Sequence, residues 1–86
     1  MSDGWVVYIV ESARGALYTG VTTSLERRLR EHATGARGAR FFRLGGPAAV
    51  RYVEHATDRS SAQRREAAIK RLSRSAKLAL IAAAAS

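Results

Sequence analysis

Trp5-Val6-Val7-Tyr8-Ile9-Val10 and, after a short break, Ala16-Leu17-Tyr18-Thr19-Gly20-Val21 are the two runs whose reading decides the fold. The first is rich in β-branched and aromatic residues, which pack well on a pleated surface, so it predicts a strand. Ser12 to Gly15 supplies a glycine-containing turn, and the second run returns as the partner strand of a hairpin. Side chains alternate across a strand, so Val6, Tyr8 and Val10 share one face, and Ala16, Tyr18 and Gly20 share one on the partner. Both tyrosines can then point to one side of the sheet, depending on register. The small Ala16 and Gly20 leave room beside Tyr18.

Beyond the hairpin, Thr23 followed by Glu26 is a capping-box pattern and predicts a helix starting near Ser24. Leu25, Leu29 and His32 fall on one face of that helix, with Arg28 beside them one turn before His32. Gly35 ends it. Residues 35–43 are glycine-rich, basic and then aromatic, and read as a loop leading into a short helical turn. Gly45-Gly46-Pro47 breaks the chain, and Ala49 to Glu54 reads as a third strand, with His55 following it in a loop. Asp58 or Ser60 caps a long helix from about Ser61 to Leu72. Ser73 to Ser75 interrupts it, and Ala76 to Ala85 forms a last, alanine-rich helix. The order is β-β-α-β-α-α. An α+β (α/β) domain, a three-stranded antiparallel sheet flanked by helices, is the simplest architecture that buries these faces.

The 86 residues are read as one domain, 1–86, with a modest core. There is no cysteine, which excludes disulfides, thiol chemistry and cysteine-ligated zinc, and fits a reducing cytoplasm. No secretory leader is recognisable. The apolar stretch from Leu78 to Ala85 falls well short of the roughly 20 residues that a membrane span needs. A cytoplasmic protein without a membrane partner is therefore expected. Fifteen basic residues against seven acidic ones give a formal charge of +8. Such a domain is drawn to polyanions by counterion release and electrostatic steering. No glycine-rich loop of the NTP-binding type and no Gly-x-Ser-x-Gly elbow are present, so NTPase and serine-hydrolase functions lack support.

The string Val7-Tyr8-Ile9, then Tyr18-Thr19-Gly20, then Leu25-Glu26-Arg27-Arg28-Leu29-Arg30-Glu31-His32, and then Arg65-Glu66 with Ile69-Lys70-Arg71-Leu72, resembles the GIY-YIG nuclease superfamily. It looks most like the small stand-alone bacterial members. By that resemblance Tyr8 and Tyr18 match the tyrosines of the two motif halves, and Arg28 matches the catalytic arginine. His32 matches the histidine one turn later, and Glu66 the metal-binding glutamate. Two departures touch substrate choice more than chemistry. Valine replaces the first glycine of the motif (Val6-Val7-Tyr8), and the chain has no asparagine, which some larger members carry late in the domain.

The chemistry agrees with those assignments. Phosphodiester hydrolysis needs an aligned nucleophile and compensation for charge developing on phosphate oxygens. Arg28 supplies the compensation, because a guanidinium is always charged and fits phosphate in a two-pronged way. Glu66, set among Arg64, Arg65, Lys70 and Arg71, is a suitable single carboxylate for Mg²⁺, which keeps much of its water. Its competing reading is a helix ion pair with Lys70. A phenol is a poor base at neutral pH, but a neighbouring cation favours phenolate. Tyr18 is therefore a candidate base, and Tyr8 an orienting group. His32 either relays a proton, holds phosphate or caps the core stripe. Arg27, Arg37, Arg40, Arg43 and Lys70 are the candidate nucleic-acid contacts. Phe41, Phe42 and Tyr52 either stack on bases or anchor to the core. The expectation is a monomeric endonuclease using one Mg²⁺ or Mn²⁺ on DNA, single-stranded or branched, with RNA as a second candidate substrate. The rival is a binding module that keeps the fold without catalysis.

Overall fold

The computed structural model describes residues 4–12, 15–28 and 49–85. Strand β1 spans Trp5–Glu11, β2 Leu17–Thr22 and β3 Ala49–Ala56, and the sheet order is β2-β1-β3. Both pairings are antiparallel. Helical residues 25–28 follow β2, and helices α1 (Arg59–Lys70) and α2 (Arg74–Ala85) follow β3. The β-β-α-β-α-α order and the three-stranded antiparallel sheet read from the sequence are therefore present.

The central position of β1 explains its composition. A strand with neighbours on both edges and covered faces reads as a continuous apolar run. Val7, Tyr8, Ile9 and Val10 are all fully buried. Val7 and Ile9 join Tyr52 of β3, Ala62 and Ile69 of α1 and Ile81 of α2 in one cluster. Tyr8 and Val10 form another on the opposite face, packed by Tyr18 and Leu25. The helix opening at Leu25 thus borders the tyrosine face, and α1 and α2 cover the other.

Turn chemistry fixes the hairpin register. The Ser12 amide donates to the Ala16 carbonyl (2.9 Å), the Gly15 amide donates to the Ser12 carbonyl (2.9 Å), and the Ala16 amide donates to Ser12 Oγ (3.1 Å). Gly15 has φ +87°, in the left-handed region that glycine enters at no steric cost. This closure sets Tyr8 opposite Gly20 and Val10 opposite Tyr18. Between β1 and β3 the register slips at Ile9/Val10, so that Ile9 faces Tyr52 while Val10 faces Val50.

Several boundaries differ from the sequence reading. Strand β3 runs on to Ala56, so His55 lies inside it, opposite Val6, rather than in a loop. Asp58 is the cap of α1, accepting from the Ser61 amide at 2.7 Å, and the helix starts two residues earlier than expected. The break falls at residues 71–73, where Ser73 Oγ accepts from the Ala76 amide at 3.1 Å and opens α2. On the first helix the cap is Ser24, whose Oγ accepts from the Arg27 amide at 3.3 Å, rather than Thr23. Thr22 Oγ1 in turn accepts from the Ser24 amide. The helix opens at Leu25, so Ser24 holds the cap position and Thr23, directly after the end of β2, stands one residue too early. The expected Gly35 helix stop and the loop of residues 35–43, Phe41 and Phe42 included, lie outside the described residues.

Candidate active site

Tyr8 is the buried centre of the site. Its ring lies over Gly20 so closely that a Cβ there would stand 2.6 Å from the Tyr8 hydroxyl oxygen and 2.8 Å from Cζ. The same Cβ would come within 3.1 Å of Tyr18 Cε2. The sequence reading placed this space beside Tyr18; the structure gives most of it to Tyr8. The two rings are tilted by 47° with centroids 6.3 Å apart.

Arg28 reaches this pair from the helical residues 25–28. Its amide donates to the Ser24 carbonyl at 3.1 Å, so the Ser24 cap sets where the side chain departs. The guanidinium interacts with both phenols, and hydrogen bonding to Tyr8 is the largest influence holding it in its charged form. Burial pushes the Tyr8 phenol above its ordinary value. Arg28 opposes that shift, while Tyr18 and the negative charge of Glu66 add to it. Burial thus favours the neutral form of Tyr8, which can donate a hydrogen bond. Its hydroxyl is buried without a hydrogen bond of ordinary geometry among the described residues.

Glu66 comes from α1. Ala62, Glu66 and Ile69 lie along one stripe of that helix, and the two apolar members are fully buried. The Glu66 side chain is 22% exposed, and its Oε2 lies 3.2 Å from Lys70 Nζ. The helix ion pair foreseen as the competing reading of Glu66 is therefore formed, and it coexists with an influence on Tyr8. Among the described residues no group of three or more His, Cys, Asp or Glu side chains gathers to hold a metal ion. Among the described residues a cation here would find the single carboxylate of Glu66, with water and substrate oxygens to complete its shell. That is acceptable to Mg²⁺ and unsuited to zinc.

Other expected residues distribute differently. Arg27 is exposed on the first helical turn, and Lys70 is engaged with Glu66. His32, Arg37, Arg40 and Arg43 lie outside the described residues. Tyr52 is removed from the stacking candidates: it is only 9% exposed, belongs to the core under α1 and α2, and donates its hydroxyl to Glu54 Oε1. Arg65 Nε donates to both oxygens of the same carboxylate, each at 2.9 Å. This Tyr52–Glu54–Arg65 group escaped the sequence reading, because only the pairing of β3 with β1 reveals that Glu54 turns toward the helix. The alternation Tyr52, Glu54, Ala56 was its available signal.

A model of the GIY-YIG catalytic domain matches residues 4–79. The chain belongs to the GIY-YIG family. The chain is 49% identical to the UPF0213 protein DP2720 of Desulfotalea psychrophila over 79 residues, covering 92% of this chain and 72% of that one. It is 45% identical to the UPF0213 protein VNG_2274C of Halobacterium salinarum over 74 residues, covering 86% of this chain and 95% of the relative. The solution NMR structure of the UPF0213 protein BH0048 from Bacillus halodurans superposes with a TM-score of 0.59 at 37% identity. That match covers 92% of this chain and 83% of the other. Membership in GIY-YIG makes a nuclease-type function on nucleic acid the general assignment, and nucleases of this family are generally dependent on a divalent metal. No helix among the described residues is long and apolar enough to cross a membrane.

Proposed function

We propose that this GIY-YIG protein is an endonuclease that hydrolyses phosphodiester bonds in DNA, single-stranded or branched. The observation that carries the reading is the cluster of buried Tyr8 with Tyr18 and Leu25, which brings the helical turn bearing the permanently charged Arg28 against both phenols. A permanently charged, preorganised donor in a partly dry site is what stabilises charge growing on a phosphate. The buried Tyr8 hydroxyl supports the same reading. Arg28 can only donate, so it serves the acceptor side of that hydroxyl, and the O–H remains able to donate to a phosphate oxygen.

In this mechanism Arg28 and Tyr8 bind and orient the scissile phosphate. Tyr18, beside the same cation, handles the proton of the attacking water, with His32 as the candidate relay. Glu66 would hold the Mg²⁺ or Mn²⁺ ion. Such an ion, once bound, would supply positive charge to the phosphate and the leaving oxygen. Gly20 keeps the floor of the site open for the Tyr8 ring. Arg27, Arg37, Arg40 and Arg43 are proposed to contact the backbone of the substrate, and a domain this small is assigned recognition of strand geometry over a long duplex site.

The test is incubation of the purified protein with labelled single-stranded, duplex and forked DNA, and with RNA, with and without Mg²⁺. Metal-dependent cleavage of the single-stranded or forked DNA is expected. Binding to all four without cleavage of any would favour the non-catalytic binding module instead.

A further inference from the structure

We propose that the open face of β3, built by Val50, Val53 and His55, seats an unpaired nucleobase of the strand whose phosphate lies at Tyr8 and Arg28. This inference rests on the reading of that site as a nuclease centre and names what its substrate brings beside the phosphate.

The register puts the seat on the site's own face. Residues opposed across antiparallel strands project to the same side of a sheet. Tyr8 is opposed by Val53, Val10 by Val50 and Val6 by His55. These three β3 residues therefore stand on the tyrosine face, while Tyr52 and Glu54 turn to the core and α1. The strand's single arginine is drawn to another partner, with Arg51 Nε 3.1 Å from Glu11 Oε1. What faces solvent beside the tyrosines is a strip of two valines with an imidazole at its end.

The Tyr8 ring makes this face a step. It leans toward β2, where it lies over Gly20, and so leaves the β3 side uncovered. Tyr18 and Leu25 complete the raised side. On the low side Val50 and Val53 are each 40% exposed, and His55 is exposed as well. Among the described residues four large apolar side chains stand this open, and two of them are these neighbours of the buried tyrosine cluster. Strands lie about 4.8 Å apart, and alternate residues along one strand about 7 Å apart. Val53 and His55 together thus present a surface of the size of one base, next to Tyr8.

The chemistry selects the base among the parts of a nucleotide. Phosphate seeks cations and hydrogen-bond donors, which Arg28 and Tyr8 supply and the two valines do not. Every base has an apolar face that stacks on such a surface whatever the sequence. In a duplex those faces are hidden within the stack, and only base edges reach the grooves. A seat for base faces therefore refuses paired strands, which gives single-strand preference a physical source. A second copy of the chain is the competing occupant, because β3 is an edge strand.

The test measures binding in EDTA, without cleavage, by fluorescence anisotropy. The probes are a labelled oligothymidylate, a sugar-phosphate strand of the same length lacking bases, and a labelled duplex. His55→Ala, Val53→Thr and His55→Phe are compared with the wild type, and thermal midpoints show that each is folded. His55→Ala and Val53→Thr should weaken oligothymidylate binding by roughly fivefold, the lower end for one stacked base. Both should bind the base-free strand and the duplex as the wild type does, and His55→Phe should hold oligothymidylate at least as tightly. Equal losses on strands with and without bases would overturn the inference, and so would wild-type binding by all three variants. A wild-type dimer in sedimentation that Val53→Thr dissociates would give the strip to a second copy and overturn it too. Base-dependent losses in a protein that cuts no nucleic acid would instead remove the proposed endonuclease activity and leave the seat standing.

Discussion

Tyr8 and Gly20 are register partners on adjacent strands, and the phenol of the first occupies the volume that any side chain on the second would need. The contact couples fold to site: Tyr8 is fully buried, so its ring cannot swing aside cheaply. Gly20→Ala should therefore lower stability by roughly 1–3 kcal/mol, the range typical of overpacking, and reduce cleavage by displacing Tyr8. Urea denaturation gives the first quantity and single-turnover cleavage the second. Wild-type values for both would mean that the ring has room to move.

Arg28→Lys keeps a positive charge but loses the planar fork that meets phosphate. Its kcat is expected to drop by roughly 10²–10³, the usual cost of removing one preorganised donor at a developing charge, with a smaller rise in KM because the same group also binds the phosphate. Steady-state kinetics on a forked DNA reads both numbers, and a lysine variant that works normally would show that charge alone suffices.

The Lys70–Glu66 pair makes metal binding a competition. Lys70→Ala should tighten Mn²⁺ binding by a few-fold at most, because a pair on such an exposed side chain is worth roughly 0–1 kcal/mol. Isothermal titration calorimetry measures it. Weaker Mn²⁺ binding in this variant would show that Lys70 supports the Glu66 site rather than competing for it.

Tyr8 gives a pH dependence with a defined sign. Its phenol is raised above 10.0, chiefly by burial. Below that value the phenol is protonated in folded and unfolded chains alike. Above it the unfolded chain loses its proton first, so stability falls as pH rises through the folded value. Tyr8→Phe should flatten this alkaline decline in urea midpoints, leaving the share contributed by Tyr52, which burial also raises. Equal declines in the variant and the wild type would place Tyr8 in contact with water.

Charge is distributed unevenly along the chain: positions 59–86 hold seven basic residues and one acidic, whereas positions 1–58 hold eight and six. Nucleic-acid affinity should fall steeply with salt, and Arg27→Ala should flatten the log–log slope by about 0.7–0.9 if that side chain meets one phosphate. Fluorescence anisotropy across a salt series measures the slope. An unchanged slope would take Arg27 out of the interface.

The hairpin and its two tyrosines were legible because strand alternation is strict, whereas the register that sets Tyr8 opposite Gly20 comes from the closure of Ser12 on Gly15 and Ala16. Arg28 was legible because helical spacing and motif order agree on it. Helix α1 was placed two residues late because Asp58 and Ser60 both offer side-chain oxygens, and only backbone geometry selects between them. Tyr52 was left between stacking and core for a different reason. An aromatic residue near arginines looks alike in sequence whether it faces a nucleobase or a core, and the β1–β3 pairing with its slip at Ile9/Val10 decides which. Glu54 was invisible on the same ground, since its partner is eleven residues away and comes near only once α1 folds back over the sheet.

The most direct measurement of the central claim is the single-turnover cleavage rate of forked DNA by the wild type, Arg28→Ala and Glu66→Gln, with Mg²⁺ and with EDTA. Circular dichroism would confirm that all three are folded. The account predicts Mg²⁺-dependent cleavage by the wild type and loss of at least two orders of magnitude in each variant. The same residual rate in all three proteins, with or without Mg²⁺, would contradict it.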